Sequence, residues 1–494
     1  MRQILKWIGV PMAVCAAIAG SGVGAASARE PAPECIAVPG AECGTIQVPL
    51  VRSRPDLGRT TVAYAVIPHR DTSRPAKGTV TVNPGGPGDS AFAFAPLYAD
   101  KFRTLLQDHD MLLVEPRGVN RSGGIDCGFG DALPATREGL VRTIGDCGEA
   151  LGARARGYTS AETADDIDAV RAKLGIGKLD LLGESYGTYL MTVYAQRHPE
   201  RVRSIVLSSA YPIDFDMWAR PNVRAARRTL ALVCDRSGAC DGDRVLRDVA
   251  RLSDRLGDRP ISYELENGER RTLDGTALSA IVYDAATRAP QGIGTIPSMV
   301  RDALRGRTAA LVAAARELAP MSGSSAPDEQ PFNPAQSVTV MCNDYPTLWD
   351  RAAPVATRTR QFAAGRAALP EREFWPFGKQ AWTSAITDRG NSCLNWPDRE
   401  GTGQRTGPLP DVPVLVVSGD LDANTPTEEG RLAARQFRRS TVVEVPNVGH
   451  VAEVEPSGCV AGIETGFIRA LKVGDTSCMA DIPPAPVGAA PAKS

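Results

Sequence analysis

The stretch Leu179-Asp180-Leu181-Leu182-Gly183-Glu184-Ser185-Tyr186-Gly187-Thr188-Tyr189 decides how the chain is read. It runs from a short apolar strand into a Gly-x-Ser-x-Gly turn and on into a helix marked by Tyr189, Leu190, Val193 and Tyr194. A serine at the centre of such a turn sits on a sharp bend, its hydroxyl lifted clear of its own backbone. Glycine is needed on either side because a Cβ there would collide with the neighbouring strand or helix. In a chain with 48 glycines the bare pattern can arise by chance. Its single occurrence, directly after an apolar run and directly before a helical one, makes Ser185 a candidate nucleophile.

Working outward, residues 45–67 alternate as a hairpin does, with Ile46, Val48 and Leu50 answered by Val62, Tyr64 and Val66. Gly78 to Val82 and Met111 to Val114 read as buried strands. Residues 160–174 read as a helix capped by Ser160 or Thr163, with Ile167, Val170 and Leu174 on one face. Its acids Glu162, Asp165, Asp166 and Asp168 read as a solvated face. Val202 to Leu207 is the next strand. Strands alternating with helices across short links predict an α/β fold with a mostly parallel sheet covered on both faces.

That rhythm breaks after Ala210. Residues 213–400 show helical patterns at Arg227–Val233, Val245–Leu256, Leu278–Ala286 and Thr308–Leu318, and a Ser/Pro/Gly-rich loop over 319–334. They read as a mainly helical cap inserted into the core. The sheet resumes with Val412 to Val417, a helix Glu428 to Phe437 and a strand Thr441 to Val445. The expected division is therefore a core over 29–212, a cap over 213–400 and the rest of the core over 401–482. The Pro/Ala-rich tail 483–494 is expected to be disordered.

The 494 residues carry 56 Lys and Arg against 57 Asp and Glu, a balance that gives no support for a nucleic-acid partner. Residues 1–28 have the form of a cleaved export signal. Arg2 and Lys6 precede an apolar run from Trp7 to Gly20, and Ala26-Ser27-Ala28 offers a cleavage site. The run is shorter than a membrane span requires. Cys15 lies within it, so ten of the 11 cysteines remain in the exported chain, an even number that predicts disulfides. Sequence cannot fix their connectivity; pairing of neighbours, Cys35–Cys43, Cys127–Cys147, Cys234–Cys240, Cys342–Cys393 and Cys459–Cys478, is the expectation. No Cys-x-x-Cys pair occurs, and with four histidines a multi-histidine metal site is not expected; the sequence calls for no metal and no cofactor.

A serine hydroxyl needs a base to take its proton, and the base needs an acid to orient it. His69 lies in an early turn, His109 precedes a strand, and His198 is held at a helix end by Pro199. His450 alone follows a strand directly, on the edge where parallel sheets gather their ligands. The acid should follow a strand between Ser185 and His450, and Asp420 and Asp422 both qualify. The turn Asn83-Pro84-Gly85-Gly86-Pro87-Gly88 offers bare backbone N–H groups to a cavity, as an oxyanion hole would. Arg117 reads as a brace between loops.

Taken in order, Asn83 to Gly88, Pro116 to Ser122, Gly183 to Thr188, Cys342 to Asp344, Asp422 to Pro426 and Gly449-His450 resemble the α/β-hydrolases. Within them the chain is similar to the secreted actinobacterial tripeptidyl aminopeptidases related to prolyl iminopeptidase. In that family the acid stands three residues before a Thr-Pro pair, which implies Asp422 ahead of Thr425-Pro426. The resemblance implies a triad of Ser185, Asp422 and His450, with the N–H groups of Gly86 and Tyr186 as oxyanion donors. It also implies a peptide partner with a free N-terminus. An aminopeptidase must hold an α-ammonium, for which Asp344 and Glu184 are candidates; Asp344 reads more readily as a loop brace. The chain departs from the family at Glu115, where Asp is common, at Asn120, where Gly is common, and at Ser208-Ser209, where Asp-Gly is common. Rival expectations are a carboxylesterase with the same triad, a serine carboxypeptidase using Glu184, and a non-catalytic binding protein of the same fold. Oligomeric state is not legible.

Overall fold

The computed structural model describes residues 35–129, 134, 136–290, 292–318, 330–387, 391–397 and 407–488. The export signal and most of the 319–334 loop lie outside these. Among the described residues ten strands are formed: β1 Glu42–Pro49, β2 Arg59–Ile67, β3 Thr79–Asn83, β4 Asp110–Val114, β5 Leu179–Glu184, β6 Val202–Ser208, β7 Ile261–Glu264, β8 Arg270–Leu273, β9 Val414–Gly419 and β10 Ser440–Val445. Eight of them make one sheet in the order β1-β2-β4-β3-β5-β6-β9-β10. β1 pairs antiparallel with β2, and β2 with β4; every other pairing is parallel.

The sheet is covered on both faces because alternate residues of its strands are apolar to either side. Leu112, Val114, Leu179, Leu181, Ile205, Leu207, Val414 and Val416 join one buried cluster. Their neighbours Met111, Leu113, Leu182, Val206, Leu415 and Val417 join the other. A period of two, apolar in both phases, is what a parallel strand buried on both faces requires. The five disulfides connect the neighbours expected from the sequence.

A mainly helical insertion lies between β6 and β9. Three of its helices, Arg220–Ser237, Gly242–Asp258 and Gly275–Thr287, enclose a separate apolar cluster built on Val223, Leu230, Val249, Leu252, Leu278 and Val282. Leu421 and Ala423, from the turn after β9, belong to that cluster and fix the insertion to the core.

Four expectations differ from the structure. The helix Ser160–Lys173 is capped by Thr159, whose side chain accepts from Glu162 N, and not by Ser160 or Thr163. Its acids are not a solvated face. Asp166 is 1% exposed and accepts from Arg117 and Arg52, while Asp165 accepts from Arg197 and His198. Arginines from distant segments close over the acids, and buried Arg117 also donates to the carbonyls of Leu50 and Gly157. The insertion contains a hairpin, β7–β8, whose four-residue strands are too short to show a period. The first half of the tail is ordered: Ala485 is buried in the insertion's cluster, and Gly488 exchanges hydrogen bonds with Gly294 and Ser298. Residues 489–494 lie outside the described ones.

Candidate active site

The elbow is built by close backbone packing. Ser185 has φ of +52°, a left-handed value unusual for a residue with a Cβ. Its N–H donates to Ser208 O at 3.0 Å, and its carbonyl accepts from Thr188 N and Oγ1 at the head of the helix Tyr186–Arg197. A Cβ on Gly183 would stand 2.3 Å from Gly187 O, and one on Gly187 would stand 2.3 Å from Asn83 O. Both motif glycines are therefore steric necessities, one toward the helix and one toward β3.

The turn after β3 lies against Ser185. A Cβ on Gly85 would come within 3.1 Å of both Ser185 Cβ and Tyr186 N. Asn83 Oδ1 accepts from Gly85 N at 3.1 Å and shapes the turn. Gly86 follows with φ of +96° and is exposed. Among the described residues, neither Gly86 N–H nor Tyr186 N–H has a hydrogen-bond acceptor. Unmatched backbone donors that face a serine hydroxyl can stabilise an oxyanion formed there.

Along the same sheet edge, Asp422 follows β9 and His450 follows β10. Asp422 is fully buried. Its Oδ1 accepts from Asn424 N and Thr425 N; its Oδ2 accepts from Thr425 Oγ1 at 2.7 Å and meets His450 Nδ1 at 2.9 Å. Burial alone would push this carboxyl up, but the imidazole and the Thr425 donors outweigh it and hold it below the ordinary carboxylate range. Asp420 does different work: it accepts from Arg236 and from Asn447 N, tying the β9 turn to the insertion and to the β10 turn.

The His450 loop is held from two sides. His450 N donates to Thr287 O in the insertion, and Val451 N donates to Ser209 Oγ at 2.7 Å. Ser208 Oγ donates to Glu453. The residues where the chain departs from the family pattern it resembles thus join the histidine loop to the end of β6, which is itself bonded to the elbow. The other departures meet one another: Asn120 Nδ2 donates to Glu115 Oε1 at 3.1 Å, and Ser90 Oγ donates to the same carboxylate.

His69, His109 and His198 meet Asp110, Asp108 and Asp165 respectively and take no part in this edge. Glu184 and Asp344 are both held within the fold. Glu184 accepts from Tyr98 OH at 3.0 Å and faces Glu453. Asp344 accepts from Ser160 N and Oγ, each at 2.6 Å. Sequence reasoning did not single out Asn424, whose amide stands 3.4 Å from His450 Nε2, or Asp89, which follows the glycine turn. An acid placed directly after Gly-Gly-Pro-Gly was the available signal for the second. Among the described residues, no His, Cys, Asp and Glu group is arranged to hold a metal ion, and no helix is long and apolar enough to cross a membrane.

Residues 78–240 match a family described as having the alpha/beta hydrolase fold, and residues 379–478 match one described as TAP-like protein. The chain is 26% identical over 450 residues to the tripeptidyl aminopeptidase of Streptomyces lividans, covering 83% of this chain and 77% of that one. It is 26% identical over 463 residues to the serine protease Hip1 of Mycobacterium tuberculosis, covering 87% and 85%. It is 29% identical over 463 residues to carboxylesterase B of the same organism, covering 85% and 82%.

Proposed function

We propose that this chain, which belongs to the α/β-hydrolases and is a serine hydrolase, is an exported aminopeptidase that releases short peptides or single residues from free N-termini. The observation that carries the chemistry is the buried Asp422–His450 pair, set on the sheet edge that also bears the Ser185 elbow. In this reading His450 takes the Ser185 proton as Ser185 attacks the carbonyl. Asp422 keeps Nδ1 protonated, leaving Nε2 as the base. The N–H groups of Gly86 and Tyr186 receive the oxyanion, each worth about 3–4 kcal/mol of barrier. His450 then protonates the leaving amine, and water resolves the acyl-enzyme on Ser185. The triad needs no metal or cofactor for any of these steps.

The peptidase reading is supported by two relatives named as peptidases. Five disulfides suit an extracellular protein, and the signal-like residues 1–28 support removal of a leader on export. The insertion, which we take as the cap expected over 213–400, reaches the site directly. Asn222 Nδ2 donates to the carbonyls of Ala423 and Asn424, and Tyr283 OH donates to Asn424 Oδ1. Such contacts suit a cap that selects the substrate.

A carboxylesterase has the same machinery, and one relative carries that name. The carboxypeptidase reading loses support because the Glu184 carboxyl is turned into the interior. A peptide-library digest separates the readings. N-terminal fragments of fixed length, lost when the peptides are N-acetylated and absent with Ser185→Ala, support the aminopeptidase. Trimming from the C-terminus, or no peptide cleavage alongside rapid ester hydrolysis, would overturn it.

A further inference from the structure

We propose that Asp89 is the anchor for the substrate's free α-ammonium and so the residue that makes this hydrolase read an N-terminus. The inference rests on the aminopeptidase reading and supplies the part that the catalytic residues lack.

An ammonium group taken out of water needs a carboxylate facing it. The carboxylates around the site can be compared by what already holds them. Asp422 is bonded to His450 and Thr425, and Asp420 to Arg236 and Asn447. Asp344 is bonded to Ser160, Glu184 to Tyr98, and Glu115 to Ser90 and Asn120. Glu464 has no hydrogen-bond partner among the described residues but is sealed from solvent. Asp89 differs from all of these. Its carboxylate has no hydrogen-bond or ion-pair partner among the described residues, and it is part-exposed.

Its position is set by the oxyanion turn. Asp89 N closes that turn on Gly85 O, and its backbone pairs with Phe332. A Cβ on Gly86 would stand 3.3 Å from Asp89 Cγ, so the carboxyl lies against the glycine proposed to bind the oxyanion. The charged groups that face it are His450, from the β10 turn, and the phenol of Tyr98, from the helix Ala95–Lys101. Behind Tyr98 stand Glu184 and Glu453; Glu115 lies beyond Ser90. No Lys or Arg is among these groups, so the carboxylate is left for a cation that arrives with the substrate. Enclosure pushes Asp89 up to about 7, against the opposing pull of His450. Binding of an ammonium therefore strengthens as pH rises through that value, until the substrate amine itself loses its proton.

The test compares an aminoacyl p-nitrophenyl ester with its N-acetyl form, for wild type, Asp89→Asn and Asp89→Glu. Labelling of Ser185 by a fluorophosphonate serves as the check that the oxyanion turn is intact. For wild type the free-amine ester should be preferred, and its KM should rise as pH falls below 7. Asp89→Asn should cut that preference at least tenfold, mainly through KM, and remove the pH effect on KM. Asp89→Glu should restore part of the preference. An unchanged preference in Asp89→Asn, or equal losses on both esters with slowed labelling, overturns the inference while leaving the aminopeptidase reading standing. A wild-type enzyme indifferent to acetylation of this ester overturns the inference, and one that is also indifferent to N-acetylation in the peptide-library digest overturns the aminopeptidase reading with it.

Discussion

At the scale of the residue, the site depends on how Asp422 keeps its charge without solvent. Four donors converge on it, from Asn424 N, Thr425 N, Thr425 Oγ1 and His450 Nδ1. Its folded-state value lies below the unfolded one, so the stability it adds is present above the ordinary carboxylate range and is lost as pH falls through the lowered value. Asp422→Asn keeps the shape but favours the wrong imidazole tautomer, and kcat should fall about 10⁴-fold with KM little changed in steady-state assays. Thr425→Val removes a single donor from the carboxylate and should lower kcat about tenfold, equivalent to about 1.4 kcal/mol of barrier. An unchanged kcat would show the hydroxyl to be dispensable. The histidine was legible because so few compete with it. Asp420 and Asp422 were not separable from strand position, since both follow β9. What distinguishes Asp420 is contact with Arg236 and Asn447, 184 and 27 residues away, and no local pattern carries that.

At the scale of the element, the strand that leads into the elbow ends on one of three buried acids whose affinity for protons the fold raises. Glu184 ends β5, Glu453 lies three residues beyond His450, and Glu464 belongs to the helix Cys459–Ala470. Burial pushes all three up, and repulsion from Glu453 pushes Glu184 and Glu464 further. A carboxyl raised in the folded state binds its proton more tightly there than in the unfolded chain. The stability this adds is whole below the unfolded value and declines as pH rises toward the folded one, by about 1.4 kcal/mol per pH unit for each group. Glu464→Gln removes one such group, so the slope of unfolding free energy against pH, from denaturant titrations between pH 5 and 8, should flatten by about that amount. An unaltered slope would mean that Glu464 is ionised in the folded protein. Sequence reading saw none of this, because the acids lie on three separate elements and meet only after the sheet is formed. The helix at 160–173 failed for the same reason: its acids look solvated until Arg52 and Arg117 arrive from other segments.

At the scale of the molecule, the sheet was legible because strands buried on both faces carry apolar residues in both phases, and β4, β5, β6 and β9 each place residues in both buried clusters, while β3 is apolar only at Val80 and Val82. The insertion was legible only as a loss of that rhythm, since its helices pack on one another and not on a repeating frame. The same want of pattern hid the end of the chain. From Ile482, whose carbonyl accepts from Asn447 in the turn leading to His450, the backbone crosses to the insertion. There Ala485 is buried, Gly488 N donates to Gly294 O, and Ser298 Oγ donates to Gly488 O at 3.0 Å. The backbone is accommodated because position 294 has no side chain: a Cβ there would fall 1.8 Å from Pro486 O. This strap joins the segment that carries His450, the proposed base, to the segment expected to choose the substrate. Deleting residues 483–494 exposes the apolar contacts of Ala485 and Val487, a loss of about 2 kcal/mol at most. The strand core and the helix Cys459–Ala470 are complete without it, so the truncated chain should fold. Hydrogen exchange should quicken over the helix Ile296–Leu304, and KM should rise several-fold for peptides but little for a small acyl ester. Unchanged exchange at that helix would show that the insertion holds its place without the strap.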